Sequence, residues 1–380
     1  MDITIKPGKL TGKIEAIPSK SQAHRLLICA SFASNPTEII CPEVNRDIEA
    51  TVDCLQSLGA DIRRTDYGYY VSPIKQVPEY PVLNCYESGS TLRFILPIVG
   101  ALGVEATIIM EGRLPERPLS PLQQIMNWSG CYIQKSENTI KCYGKLTQKH
   151  YRIDGSVSSQ FISGLMFAHW IMGGCTLEIT GQLESRPYIE MTKDALARFD
   201  HYHSPGLIEV EGDWSNGAFW IAANALGSEI QIKGLDPNSI QGDKAVTELI
   251  AKLKDGHATI DAKDTPDLVP ILSVVAAANH GATFTNIRRL RLKESDRVAS
   301  TIAMLKSLGG AANATEDILT VLPCRFTGGT VDAMNDHRIA MSAAIAATVA
   351  SGSVTILGAE CVRKSYPRFW DDFSHSGGII

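Results

Sequence analysis

Apolar stretches rich in Ala and Gly recur along the chain, each opening at a residue type that caps helices and closing near Gly or Asn. One follows residues 17–25, IPSKSQAHR. The others are STLRFILPIVGALG from Ser90, SSQFISGLMFAHWIMGG from Ser158, SNGAFWIAANALGS from Ser215, DLVPILSVVAAANHG from Asp267 and DHRIAMSAAIAATVASG from Asp336. A short β-type run follows each, at 37–40, 106–110, 176–179, 229–232, 282–285 and 354–357. Successive starts lie roughly 50 to 70 residues apart, longer than a solenoid period, so each repeat is a small βα assembly rather than a stacked helical hairpin.

A second kind of helix alternates with the first. After Asp47, the residues Ile48, Val52 and Leu55 step by four and three, an amphipathic stripe that stops at Gly59. Its ending, LQSLGADI at 55–62, returns as IMNWSGCYI at 125–133 and LKSLGGAAN at 305–313, with weaker copies at 246–256 and 191–199. Each unit therefore holds one buried and one half-exposed helix with strands between them. Three such units closing around their buried helices, with sheets outside, make a prism-like α/β domain.

The chain opens with a strand, a turn at Pro7-Gly8 and a second strand, upstream of the first unit. Units three and four are short, since Phe199 is soon followed by the strand-like 208–210 and Leu253 by Asp267. A domain crossing is expected near 211–214, with the N-terminal strands returning to the second half: 17–212 as one domain, 1–16 with 213–380 as the other.

At 380 residues there is room for two such cores, six units dividing into two sets of three. A hydrophobic content of 44% with 20% charged residues excludes a disordered chain. The formal charge of −5 argues against bulk nucleic-acid binding but leaves room for local positive clefts. Nine cysteines, an odd number with no Cys-x-x-Cys, fit neither a disulfide framework nor a zinc site, and are expected reduced and mostly buried. MDITIKPGKL has no signal-peptide core and the apolar run 339–357 is broken by Gly352, so no membrane association and a cytoplasmic location are expected.

Residues 17–25 place Lys20, Arg25 and two serine hydroxyls where an extended segment becomes a helix. A helix start offers unpaired N–H groups and the positive end of the dipole, so two added cations suit it to a phosphate; the alternative is a Ser cap beside surface cations. Further cations stand near unit junctions: Arg93, Arg113, Arg117, Arg186, Lys293, Arg297, Arg338 and Lys364. Together they suggest a substrate with several negative charges, which Arg grips bidentately and Lys meets as a mobile point charge. Asp47, Asp267, Glu294, Asp296 and Asp336 lie beside them. Glu294 and Asp296 read either as helix-start charges paired with Arg297 or as a general acid or base, and His337 as a cap partner or a proton carrier. No His-Glu-x-x-His, Walker loop, dinucleotide glycine motif or Gly-x-Ser-x-Gly elbow occurs, which argues against nucleotide hydrolysis and hydride transfer.

PSKSQAHR, SGSTLRF, the ERP of PERPL, DGSVSSQF, SRPYI, RLKESDR, NDHR and KSYP, in this order, resemble the EPSP synthase family of enolpyruvyl transferases over nearly the whole chain. The resemblance implies two inverse α/β prism domains, each of three βαβαββ units, with the active site in the cleft between them. It implies transfer of the enolpyruvyl group of phosphoenolpyruvate to the 5-hydroxyl of shikimate 3-phosphate, on the route to chorismate and aromatic amino acids, with no metal or cofactor. The implied partners are these small molecules alone, and the implied state is a monomer. Implied ligands of shikimate 3-phosphate are Lys20, Ser21, Arg25, Ser158, Ser159, Gln160, Ser185, Tyr188, Asp267 and Lys293. Those of phosphoenolpyruvate are Lys20, Gly89, Arg117, Gln160, Arg297, Arg338 and Lys364. The implied catalytic set is Lys20, Asp267, Glu294 and His337, with Asp267 as base for the 5-hydroxyl and Glu294, with Lys20, handling the proton at the enol carbon.

The sequence departs from the family pattern in two motifs and in the shortened units three and four, which bear on the geometry near Asp267. Glu87, Ser88, Gly89 and Ser90 stand where Asn-Ala-Gly-Thr is usual, leaving the response to glyphosate open, and Arg289 replaces a frequent Asn. Rival readings are transfer to UDP-N-acetylglucosamine, whose enzymes carry Lys-Asn where Lys20-Ser21 stands; RNA binding through NIRRLRLK, which has no interleaved aromatics; and a non-catalytic binder.

Overall fold

The computed structural model describes residues 1–148, 150–156, 158–174 and 176–380. Cys175, expected to be reduced, and Val157 of the DGSVSSQF motif lie outside the described residues. The chain forms two compact units, 18–210 and 1–17 with 211–380.

In the 18–210 unit the apolar runs become α1 (Lys20–Ser31), α3 (Gly89–Leu102) and α5 (Ser159–Ile171), alternating with the amphipathic α2 (Arg46–Ser57), α4 (Leu122–Trp128) and α6 (Arg186–Arg198). The apolar helices are buried almost all round, α3 and α5 by apolar side chains on nearly every face and α1 with the polar Gln22, His24 and Arg25 among its buried residues. The backbones of α3 and α5 approach closely: a Cβ on Gly164 would stand 2.1 Å from the Arg93 carbonyl oxygen, so only glycine fits there. The second repeat is a complete βαβαββ unit. Val82–Asn84 runs parallel to Ala106–Ile109, which pairs antiparallel with Thr139–Gly144, itself antiparallel to Cys131–Lys135. In the first sheet, Leu207–Glu209 from the far end of the unit takes the parallel place beside Thr37–Ile40. The third sheet has two strands, His150–Asp154 and Thr176–Thr180.

The other unit repeats the plan with apolar α7 (Trp214–Ala225), α9 (Val269–Ala278) and α11 (His337–Ala347), which touch one another, and with α8 (Val246–Asp255), α10 (Arg297–Ser307) and α12 (Phe369–His375). Ala258–Asp261, Ala282–Thr285, Ile318–Val321 and Ala312–Ala314 form its four-stranded sheet. The two N-terminal strands do not make a hairpin. Ile3–Ile5 pairs antiparallel with Val354–Leu357 and Thr11–Glu15 pairs parallel with Glu229–Lys233, each completing a sheet of the second half. That fourth sheet is two-stranded like the third, the consequence of the shortened sequence between units.

Helix starts differ from the sequence reading in three places, each for a local reason. Asp213, not Ser215, caps α7, its carboxylate accepting from the Asn216 N–H at 2.9 Å. Ser88, not Ser90, caps α3. Pro266 opens a 3-10 turn, Pro266–Leu268, before α9 can begin.

One buried histidine makes the 18–210 unit acid-sensitive. His169 in the last turn of α5 stacks on Tyr151 with ring centroids 4.5 Å apart, and burial pushes its pKa down to about 4. Between about pH 6.5, the unfolded value, and pH 4 the unfolded chain binds a proton that the folded one refuses. Stability contributed by neutral His169 is therefore full above pH 6.5 and declines by at most about 1.4 kcal/mol per unit as pH falls through that window. Urea midpoints of wild type and His169→Gln, measured from pH 7 to pH 4.5, should show a shallower decline in the variant.

Candidate active site

In the 18–210 unit, several helix starts are tied together by side chains. Lys20, the first residue of α1, meets Asp47 in the first turn of α2, Nζ to Oδ2 at 2.8 Å, both half-buried. Behind them a chain of buried polar groups joins α1, α2 and α3: His24 Nδ1 to Thr51 Oγ1 at 2.7 Å, Thr51 Oγ1 to Thr91 Oγ1 at 2.8 Å, and Thr91 to the cap Ser88 at 2.7 Å. Gln160 at the start of α5 donates to Ser90 Oγ at 2.9 Å. Ser158 caps α5, accepting from the Gln160 N–H at 3.3 Å, and Ser159 is buried beside it. Converging starts of this kind add their dipole ends and free N–H groups at one place.

Three arginines complete the cluster. Gly89 opens α3 against Arg117, where a Cβ would stand 2.3 Å from Arg117 Nη1 and 2.6 Å from Arg93 Nη1. The glycine thus forms a cradle that holds two guanidinium groups against the helix start. Arg117 Nε is buried with no hydrogen-bond partner among the described residues, so this cation is not consumed by the fold. Arg25 is different. It is 2% exposed, donates to Thr192 Oγ1 at 2.8 Å, to the Tyr188 carbonyl at 2.8 Å and to the Ser21 carbonyl at 2.5 Å, and lies over the Phe94 ring. Burial pushes its pKa down to about 10, and it remains a cation at neutral pH. Arg25 therefore fixes Ser21 on α1 relative to Tyr188 on α6, and Ser185 precedes α6 in a left-handed conformation at φ 54°.

In the other unit the site is built around one guanidinium. Arg297, the first residue of α10 and 1% exposed, donates from Nε to Asp336 Oδ2 at 2.9 Å, from Nη1 to Asp267 Oδ1 at 2.7 Å and from Nη2 to Glu294 Oε2 at 2.5 Å. Burial alone would lower its pKa, but the carboxylates of Asp336, Glu294 and Asp267 hold it above its ordinary value. Asp336 also caps α11 and accepts from Ser295 Oγ at 2.9 Å, so the same carboxylate fixes two helix starts.

Asp267 faces three cations: Arg297 at 2.7 Å, Lys293 Nζ at 3.3 Å and Arg338 Nη2 at 3.6 Å. Burial lowers the Lys293 pKa and Asp267 opposes that shift. His337 is buried in the first turn of α11, and Lys364 Nζ donates to the Asn335 carbonyl at 3.0 Å. Asp267, Lys293, Glu294, Arg297 and Arg338 are thus brought together as one network within this unit. Lys20, Ser21, Arg25, Gly89, Arg117, Ser158, Ser159, Gln160, Ser185 and Tyr188 all belong to the other unit.

Sequence reasoning missed the polar groups that support this network. Ser215 accepts from Arg338 Nη2 at 2.7 Å, and Asp243 is buried in the 3-10 turn Gly242–Ala245, although the apolar pattern marked Ser215 only as a helix start and left Asp243 in a turn. Thr51 and Thr91 sit inside helices where nothing in the pattern marks them. The isolated Gln-Gly-Asp triplet at 241–243, before an amphipathic helix, was the only local signal for Asp243.

Helix starts on an α/β fold of repeated βα units that gather cations and carboxylates in this way define a class of protein suited to small molecules with several negative charges. The model of the family EPSP synthase (3-phosphoshikimate 1-carboxyvinyltransferase) matches residues 5–373. Proteins named 3-phosphoshikimate 1-carboxyvinyltransferase from Clostridium kluyveri and Clostridium acetobutylicum are 36% and 37% identical to the chain, each match spanning 100% of it and 98% of the relative. A solved EPSP synthase from Acinetobacter baumannii shares the fold, with a TM-score of 0.78 at 21% identity, covering 99% of this chain and 98% of that one. The chain belongs to the EPSP synthase family. Among the described residues, no helix is long and apolar enough to cross a membrane.

Proposed function

We propose that the chain transfers the enolpyruvyl group of phosphoenolpyruvate to the 5-hydroxyl of shikimate 3-phosphate, giving 5-enolpyruvylshikimate 3-phosphate and phosphate. The product serves chorismate and aromatic amino acid biosynthesis. The observation that carries this reading is the Asp267 carboxylate, set among Lys293, Arg297 and Arg338 and sharing Arg297 with Glu294. A carboxylate so placed is oriented to take a proton from a hydroxyl while the cations around it receive anionic oxygens.

The chemistry divides the groups into roles. Addition puts a proton on the methylene carbon of phosphoenolpyruvate, builds positive charge at C2, and is completed when the 5-hydroxyl attacks C2 and gives its proton to Asp267. Elimination breaks the C2–O bond to phosphate and returns the methyl proton. Glu294, held by Arg297 beside Asp267, and Lys20 are assigned that proton, and His337 is placed with them as a catalytic group. Gly89, Arg117, Gln160, Arg297, Arg338 and Lys364 are assigned to phosphoenolpyruvate. Lys20, Ser21, Arg25, Ser158, Ser159, Gln160, Ser185, Tyr188, Asp267 and Lys293 are assigned to shikimate 3-phosphate, with Arg25 acting largely by holding Ser21 and Tyr188 in place. The reading draws on both units and takes the protein to work as a cytoplasmic monomer.

Two measurements follow. Mass spectrometry of products formed from phosphoenolpyruvate with an equimolar mixture of shikimate 3-phosphate and UDP-N-acetylglucosamine should show addition to shikimate 3-phosphate; addition to the nucleotide sugar would overturn the acceptor. Gly89→Ala drives a methyl into Arg117 and displaces it. Losing a charge-assisted contact of about 1.5 to 3 kcal/mol should raise KM for phosphoenolpyruvate by about tenfold or more in steady-state assays, with KM for shikimate 3-phosphate little changed.

A further inference from the structure

The strand Val82–Asn84 reaches the start of α3 through a tight turn, and the turn is strained. The Ser88 N–H donates to the Cys85 carbonyl at 2.8 Å, which makes residues 85–88 a four-residue turn with Tyr86 and Glu87 at its centre. Of these two only Tyr86 has a positive φ, 45°, in a place that glycine normally takes because a Cβ there is crowded. For an aromatic residue this is an outlier, and such backbone persists only where the surroundings over-determine it.

The surroundings of Tyr86 do so. Its hydroxyl donates to Asp53 Oδ2 on α2 at 2.9 Å, and its backbone N–H donates to Asn84 Oδ1 at 2.8 Å. The next residue of α2, Cys54, donates from Sγ to the Asn84 carbonyl at 3.3 Å, so α2 grips this stretch at two points. The bond to Asp53 also pushes the Tyr86 pKa up, which keeps the phenol a donor at neutral pH.

Two parts of the site hang from this turn. The Tyr86 carbonyl accepts from the Glu111 N–H at 2.8 Å, the Glu111 carbonyl from the Leu114 N–H at 3.1 Å, and the Leu114 carbonyl from the Arg117 N–H at 3.2 Å. An unbroken run of backbone hydrogen bonds thus leads from Tyr86 to Arg117. In the other direction the turn ends at Ser88, the cap of α3, and Gly89 follows, the residue against which Arg117 lies. We propose that Tyr86 is a positioning residue for phosphoenolpyruvate, its tether to Asp53 holding the 85–88 turn in the form that sets Gly89 against Arg117. The proposal rests on the assignment of Gly89 and Arg117 to phosphoenolpyruvate.

Strain makes the outcome of substitution depend on backbone freedom rather than on likeness of side chain. Phe and Ala at position 86 lose the tether and keep the strain, so the turn relaxes and both partners of the cradle move. Gly loses the tether and the strain together, because it takes a positive φ without penalty.

The test compares wild type with Tyr86→Phe, Tyr86→Ala, Tyr86→Gly, Asp53→Ala, Asp53→Asn, Arg117→Ala and the double variant Tyr86→Phe with Asp53→Ala, each checked for native melting. Tyr86→Phe and Asp53→Ala should each raise KM for phosphoenolpyruvate about tenfold, the effect of losing one hydrogen bond to a charged group, and leave KM for shikimate 3-phosphate within twofold. The double variant should be no worse than either single one, because both cut the same tether. Asp53→Asn keeps an acceptor oxygen and should recover most of what Asp53→Ala loses. Tyr86→Gly should show a KM for phosphoenolpyruvate several-fold below that of Tyr86→Ala, an order that side-chain packing alone would not give. A wild-type KM in Tyr86→Phe, a glycine variant as impaired as the alanine one, a double variant whose effects multiply, or KM values that rise together for both substrates would overturn the proposal. If Tyr86→Phe does not fold, the two Asp53 variants decide alone. Arg117→Ala separates the two levels: if it leaves KM for phosphoenolpyruvate unchanged, the underlying assignment is wrong; if it raises KM while the tether variants do not, only the positioning role is wrong.

Discussion

Arg297→Ala should produce a protein that has lost both turnover and a large part of its stability. The guanidinium is 1% exposed and holds Asp267, Glu294 and Asp336. Removing it leaves three half- or fully buried carboxylates facing one another with their shared counterion gone, and breaking buried pairs by deleting one partner costs about 3 to 5 kcal/mol. Asp336 also caps α11, so the loss spreads to the helix that carries His337 and Arg338. Urea unfolding should show the midpoint falling accordingly. Arg297→Lys should recover little, since an ammonium is a point charge and cannot reach carboxylates arranged around the three nitrogens of a planar fork. An unfolding midpoint equal to wild type would mean that the network contributes nothing to the fold.

Asp267→Asn should have the largest effect on the chemistry alone. The amide keeps the shape and, with its oxygen in the Oδ1 place, an acceptor for Arg297 and Lys293, while its NH2 replaces only the longer 3.6 Å contact to Arg338; it cannot take the proton of the 5-hydroxyl. General-base catalysis is worth about 10² to 10⁴ in rate, and kcat should fall by that factor with both KM values within a few-fold of wild type. Stopped-assay kinetics at saturating substrates measure this directly. Retention of a tenth or more of wild-type kcat would remove Asp267 from the catalytic set.

These two residues also show what a sequence discloses and what it does not. The alternation of all-round apolar and amphipathic helices was legible because burial on every face needs apolar residues at every position, and the strands at 37–40, 282–285 and 354–357 stand where the pattern puts them. Helix starts were less legible. Ser88 and Ser90, or Asp213 and Ser215, are equally good caps by type, and only the path of the preceding chain selects between them. The candidate cations were visible as charges interrupting apolar runs, yet their burial was not. Arg25 is enclosed by Thr192 and the Tyr188 carbonyl, and Arg297 by Asp336 and Asp267, partners far away in the chain.

The most direct measurement is phosphate release from phosphoenolpyruvate, with and without shikimate 3-phosphate, in the presence of chelator and without nucleotide, for wild type, Lys20→Ala and Glu294→Ala. The account predicts release that requires shikimate 3-phosphate, is insensitive to chelator, and falls by orders of magnitude in both folded variants. Absence of release from folded wild-type protein, or release that does not depend on shikimate 3-phosphate, would contradict it.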